Sequence, residues 1–250
     1  MDENDNLKNI SKVLTGFLNI ATVKTIEANI PETTPIAPYI STTFQAIGNE
    51  IIERIFSKRE KEKISITYLT ACQKIYERVE NGDIPRDEVF FTRPEGDYSS
   101  ADKLLEAVFI ESRNEYDNKK LVYLGNLTAN LLFTNEHDFD RCMYFIKIAE
   151  NLNYRQLCYI SLLNNKSKYK LDRKVDLNKT PYMIMPIDHR SELNDMVVKC
   201  IIKGPKEFKP DLALPLEWYN TDWVGEQLYK LMNLEMIPEI DVKKLAGIQN

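Results

Sequence analysis

A chain of 250 residues with 43% apolar and 28% charged side chains has enough hydrophobic material for a buried core, which excludes an intrinsically disordered polymer. Its formal net charge of -5 gives no general attraction for polyanions, so nucleic-acid binding would need a locally basic face. The four cysteines, Cys72, Cys142, Cys158 and Cys200, are far apart, form no Cys-x-x-Cys pair, and read as small buried hydrophobes in a reducing compartment.

Residues 7–27 place Leu7, Ile10, Val13, Leu14, Phe17, Leu18 and Ala21 at the spacing of an amphipathic helix. Prolines at 31–38 break it, and helical spacing resumes with Ile40, Phe44, Ile47, Ile51 and Ile55. The acidic residues 1–5 predict neither a secretory nor a mitochondrial signal. The longest uncharged stretch, 33–49, is too polar and too short for a bilayer span, which takes about 20 mostly apolar residues. The expected location is therefore the cytoplasm, with no transmembrane segment.

Ser57 and Glu60 spell a capping box for a helix with Ile64, Tyr68, Ala71, Cys72, Ile75 and Val79 inward, ended by Asn81-Gly82. The mixed charges at 57–63 read as its solvated start. A polar loop follows over 82–98. Ser99 or Ser100 caps the next helix, which turns Leu104, Leu105, Val108 and Phe109 inward. The stretch 119–133 is apolar on most sides and predicts a central helix. Asp138 caps a helix to residue 152, and Asn153 with Gln156 caps another over 157–163.

After Asn165 the texture changes to Lys- and Asp-rich, with a short apolar patch at Tyr182-Met183-Ile184-Met185. Ser191-Glu192 opens a helix holding Leu193, Met196, Val197, Cys200 and Ile201, stopped by Gly204-Pro205. Thr221 caps a helix over 222–234, and Pro238 starts a short tail helix. These elements predict a mainly α fold: a helical body over 1–165 and a small C-terminal α(+β), winged-helix-like module over 166–250.

Several chemistries cannot be written onto the chain. Its eight glycines are dispersed, so neither a Rossmann nor a P-loop phosphate cradle exists, and the G-x-S-x-G elbow is absent. Only His137 and His189 are present, which rules out a multi-histidine metal site within one chain. His137-Asp138 spells a phosphohydrolase dyad without the earlier histidine that chemistry needs, and Asp138 already has a use as a helix cap. Asp188-His189-Arg190 reads as surface hydrogen bonding before a helix. Asp211 with Asp241 and Lys243 matches the two-carboxylate-plus-lysine pattern of metal-dependent nucleases, but Asp241 follows Pro238 in a helical stretch rather than on a strand. No cofactor and no metal ligand set is expected.

Two surface candidates remain. The basic set Lys166, Lys168, Lys170, Arg173 and Lys174 reads as a solvated linker or as an anion-binding loop in the position of a wing. Trp218, Tyr219 and Trp223 read as packing residues or as an interaction hot spot. The favoured expectation is a non-enzymatic interaction or regulatory protein with a protein partner or self-association. The alternatives are a nucleic-acid sensor using the 166–174 loop and an unrecognised metal-dependent nuclease.

The segment Glu115-Tyr116-Asp117-Asn118-Lys119-Lys120-Leu121-Val122-Tyr123-Leu124-Gly125-Asn126-Leu127-Thr128-Ala129-Asn130-Leu131-Leu132-Phe133 resembles a block in bacterial helical proteins of the Abi-alpha (abortive-infection) type. There a lysine-containing turn leads into a helix with a Gly-Asn-Leu-x-Ala-like core. Asn153-Tyr154-Arg155-Gln156-Leu157 is similar to the following helix of those proteins, and Gly225-Glu226-Gln227-Leu228-Tyr229 to their terminal one. The resemblance implies a bacterial accessory protein with a role in phage defence, and carries no catalytic residue.

Overall fold

Local capping chemistry fixes most helix starts. The structure, a computed structural model, describes residues 57–172, 187–204 and 215–245. The expected helices over 7–27 and 40–55, the break at 31–38 and the 182–185 patch lie outside the described residues. Helices dominate what is described, as the hydrophobic spacing predicts. Two compact units follow one another, divided between Glu150 and Asn151.

In the first unit, α1 (Lys58–Glu80) opens on the Ser57–Glu60 box, in which each residue's side chain accepts the other's backbone N–H. It closes with Gly82 in the left-handed region, where the N–H groups of Gly82 and Asp83 reach back to the carbonyls of Val79 and Arg78. A four-residue helix, α2 (Glu88–Phe91), interrupts the polar loop, with Phe90 buried. Ser99 and Asp102 form the box that starts α3 (Ser100–Asn114), and Asp117 caps α4 (Asn118–Leu131). Asp138 accepts the N–H of Arg141 at the start of α5 (Phe139–Glu150).

Helix α4 is the centre of this unit: Leu121, Leu127, Ala129 and Leu131 are fully buried. Its most extensive contact is with α1, across Gly125. A methyl group at Gly125 would lie 2.7 Å from the carbonyl oxygen of Thr67 and 2.6 Å from Cβ of Thr70. The side chains that line this crossing are small and hydrogen-bonded. Thr67 donates its hydroxyl to the Leu121 carbonyl (3.2 Å), and Ser112 of α3 lies 2.8 Å from the Thr67 hydroxyl.

Two lysines are buried in the same unit, both at helix C-termini. Lys63 donates to the Arg113 carbonyl near the end of α3 (3.0 Å), and Lys120 donates to the Glu150 carbonyl ending α5 (3.0 Å). The last carbonyls of a helix lack intrahelical partners and carry the negative end of its dipole, so an ammonium there is favourable. Lys120 also pairs with Glu115 at 2.6 Å.

Beside this pair, the Glu111 and Glu150 carboxyls are close enough to repel, and Lys147 pairs with Glu150. Burial, and then the like charge of Glu150, push the Glu111 carboxyl above the ordinary range. A carboxyl raised on folding adds stability below its unfolded pKa, and that contribution is lost as pH rises through the folded one. Glu111→Gln keeps a hydrogen-bonding group and removes the charge. The variant should therefore melt higher than the parent at pH 7, and the gap should close in acid. Scanning calorimetry at two pH values checks it.

The second unit is built around α6 (Tyr154–Asn164), whose Leu157, Tyr159, Ile160 and Leu162 are fully buried. Asn153 and Gln156 form its capping box. Helices α7 (Ile187–Val198), α8 (Trp223–Leu231) and α9 (Glu239–Leu245) pack on it, with a 3₁₀ turn at Leu234–Met236. Strands β1 (Ile202–Lys203) and β2 (Asn220–Thr221) pair antiparallel, Ile202 opposite Thr221. Gly225 lets α8 approach the Ile201 carbonyl so closely that a methyl group there would collide with it.

Some expectations are corrected. The division falls after Glu150, ahead of the texture change at Asn165, and α6 is the core of the second unit. Helix α7 starts at Ile187 rather than at Ser191, and it ends through Cys200, which takes a left-handed conformation (φ 55°), rather than at Gly204. Asp222, not Thr221, caps α8, because Thr221 belongs to β2. Cys200 is exposed, unlike the three buried cysteines. Among the described residues the β-structure is this one pair of dipeptides.

Candidate functional site

The basic loop begins where α6 ends, and its conformation is set by its own backbone. Leu171 N–H bonds to the Lys166 carbonyl (2.9 Å) and Lys170 N–H to the Ser167 carbonyl (3.2 Å), with Lys170 left-handed at φ 57°. This is the Schellman arrangement, with lysine where glycine is usual and buried Leu171 as the apolar residue that follows.

Lys166 does not face solvent for use by a phosphate. Its ammonium donates to the carbonyls of Glu217 (2.6 Å) and Tyr219 (2.9 Å) and to Oδ1 of Asn220 (3.1 Å). Burial lowers its pKa. The two sequence candidates therefore meet: the first lysine of the basic set holds the turn that carries Trp218 and Tyr219. Tyr219 is buried, Trp218 is half-buried, and Trp223, at the start of α8, is exposed. Lys168 and Lys170 are exposed, with Lys168 3.8 Å from Glu239. Arg173 and Lys174 lie outside the described residues.

This geometry makes Lys166 a strut. Lys166→Met should destabilise the protein by about 1–2 kcal/mol, the net worth of charged hydrogen bonds whose acceptors are then left without a donor. Lys170→Gly should do the opposite, stabilising by about 1 kcal/mol through relief of the left-handed penalty. Urea denaturation of both variants checks the pair, and a neutral Lys166→Met would remove the strut.

The other titratable candidates are occupied structurally. Cys142 Sγ lies near the carbonyl of buried His137, whose ring packs 5.0 Å from that of Phe145, while Asp138 caps α5. His189 Nδ1 lies 2.7 Å from the hydroxyl of fully buried Tyr159. Asp241 sits on α9, where it accepts from the Tyr154 hydroxyl (2.9 Å), and Lys243 pairs with Glu239 one turn away. Asp211 lies outside the described residues. Among the described residues no group of three or more His, Cys, Asp or Glu side chains is placed to hold a metal ion.

No family model, curated protein or solved structure matches this chain.

Sequence reasoning passed over one surface. The segment 82–91 turns Pro85, Arg86 and Phe90 into the first unit, while Ile84 and Val89 point out, 81% and 80% exposed. The buried Arg86 guanidinium lies 4.0 Å from the Phe90 ring centre and 3.3 Å from Cys142 Sγ, and its backbone N–H bonds to the Leu132 carbonyl. A strap fixed from behind in this way presents its two aliphatic side chains to solvent in a set conformation. The signal available in the sequence was Ile84 and Val89 beside Phe90 and Phe91 in a loop, whose spacing gives periodicity no way to tell which side chains point out.

Proposed function

We propose that the chain is a non-enzymatic helical interaction protein of the bacterial cytoplasm, serving phage defence as its resemblance to Abi-alpha-type proteins implies. The observation that carries this reading is the strap. Two large aliphatic side chains, almost entirely exposed, sit on a backbone pinned by a buried arginine, a buried proline and a buried phenylalanine. Exposed apolar residues held on a fixed frame are what a protein partner covers. The half-buried and exposed tryptophans of the second unit, Trp218 and Trp223, offer a further apolar contact.

The basic loop supports the nucleic-acid alternative less well, because Lys166 is engaged by three oxygen atoms. Five phosphate contacts would give a log–log salt slope of roughly -4 to -5 for duplex DNA. No such complex is expected near physiological salt, and a salt-dependent submicromolar one would put the sensor first. The decisive test of the favoured reading is a phage challenge of bacteria expressing the chain or its Ile84→Asp/Val89→Asp variant. Protection by the parent and loss of protection by a variant with unchanged circular dichroism is the expected result. Equal plating with and without the parent chain would end the defence reading.

A further inference from the structure

The interaction reading leaves the partner's chemistry open, and the charges around the strap narrow it. Over residues 78–97 the sequence alternates three arginines with acidic residues, but the fold sorts them. All three arginines are engaged by the protein itself. Arg78 donates Nε to Asp83 (2.7 Å) and Nη1 to Asn130 (2.8 Å), and lies over the Phe133 ring. Arg86 is buried against Cys142 and Phe90. Arg93 makes a two-point contact with buried Asp102 (2.7 and 3.2 Å). Glu80, Asp87 and Glu95 are exposed, and no cationic side chain pairs with them among the described residues. Asp97, also exposed, is matched by Lys103.

We propose that the exposed side chains of segment 80–95 dock a cationic amphipathic segment of a partner protein, with aliphatic side chains covering Ile84 and Val89 and lysine or arginine meeting Glu80, Asp87 and Glu95. The proposal rests on the interaction reading above and adds the partner's class. The sign of the face disfavours nucleic acid and anionic lipid surfaces. A purely apolar partner would desolvate carboxylates without compensating them, which costs more than the contact returns. A basic amphipathic segment satisfies both features at once, and lysine and leucine at helical spacing is its simplest form.

The test uses the full chain and a fluorescein-labelled, 18-residue synthetic helix of lysine and leucine, titrated by anisotropy. Saturable binding is expected, weakened at least about ten-fold, or ~1.4 kcal/mol, by Ile84→Asp/Val89→Asp and likewise by Glu80→Lys/Glu95→Lys. The second pair is exposed and has no ion-pair partner among the described residues, so it tests the face even if the first pair perturbs the strap. Glu226→Lys/Glu235→Lys, an equal charge change in the second unit, should leave affinity nearly unchanged. A glutamate-for-lysine peptide and a serine-for-leucine peptide should both fail to bind. Equal weakening by the control pair would reduce the effect to net charge and overturn the proposal, as would binding of the glutamate peptide. If the Ile84→Asp/Val89→Asp variant loses phage protection while the lysine–leucine helix does not bind, the interaction reading stands and the cationic class falls. If the helix binds this face while the parent chain gives no protection, the docking site stands and the defence reading falls.

Discussion

Replacing Gly125 by alanine is expected to destabilise the first unit by about 2 kcal/mol, although alanine is the better helix former. Helix propensity favours the substitution by roughly 1 kcal/mol. Overpacking typically costs about 1–3 kcal/mol, and here one obstacle is a backbone carbonyl, which cannot swing aside as a long side chain would. The new methyl group would lie 2.7 Å from the Thr67 oxygen and 2.6 Å from Thr70 Cβ, so α1 and α4 must separate. That separation also lengthens the Thr67–Leu121 hydrogen bond, already 3.2 Å. Urea denaturation followed by circular dichroism measures the loss. An unchanged midpoint would mean the two helices do not cross as closely as described.

Glu115→Ala should cost more, about 3 kcal/mol or above, because it leaves the Lys120 ammonium buried without its counter-charge. Lys120 is only 2% exposed, and removing one member of a buried pair usually costs about 3–5 kcal/mol. The Glu150 carbonyl still accepts from Lys120, which places the expectation at the lower end. Removing both charges in Glu115→Ala/Lys120→Met should recover much of the loss, and a double variant no better than the single would show the pair is not coupled. The pH dependence has a definite sign. Burial pushes the Glu115 carboxyl up, but the Asp117 N–H and the Lys120 ammonium outweigh it and hold the group below its usual value. Its contribution is therefore present above the unfolded carboxyl pKa and lost as pH falls through the folded one. The gap between parent and Glu115→Ala should be full at pH 7 and shrink in acid below about pH 4.

The features legible in the sequence are those decided within one helical turn. Ser57 with Glu60, Ser99 with Asp102, Asp138, and Asn153 with Gln156 cap the helices they announce, because a cap needs only residues three apart. The apolar run of α4 likewise marks the core of its unit, since a helix apolar on most sides has to be surrounded. Helix ends were harder to read. Gly82 announces the end of α1, but Lys170 and Cys200 fill the same left-handed role without being glycine, and only the burial of Leu171 and Ile201 beside them makes it worthwhile. Of the candidate site, the residues were found but not their use. Lys166 looked like one cation in a basic run because its acceptors at 217–220 lie some fifty positions away. No periodicity links a lysine to a distant carbonyl, and none tells that three arginines near the strap will be engaged by the protein's own groups while Glu80, Asp87 and Glu95 stay exposed.

The lysines lodged on carbonyl groups make the protein report its own opening. Acylation requires a solvent-accessible, unprotonated amine, and Lys63 and Lys120 have almost no exposed surface and are hydrogen-bonded as ammonium ions. Under brief treatment with an acetylating reagent, exposed lysines such as Lys58, Lys168 and Lys244 should be modified within the native state. Lys63 and Lys120 should be modified only in molecules whose first unit has come apart, whereas Lys166 reads the turn it holds in the second unit. Peptide mass spectrometry along a denaturant series would thus time the two units separately on one unmodified chain. Coincident labelling of all three would identify a single cooperative transition, and earlier labelling of half-buried Lys166 would mark local release of the turn it holds.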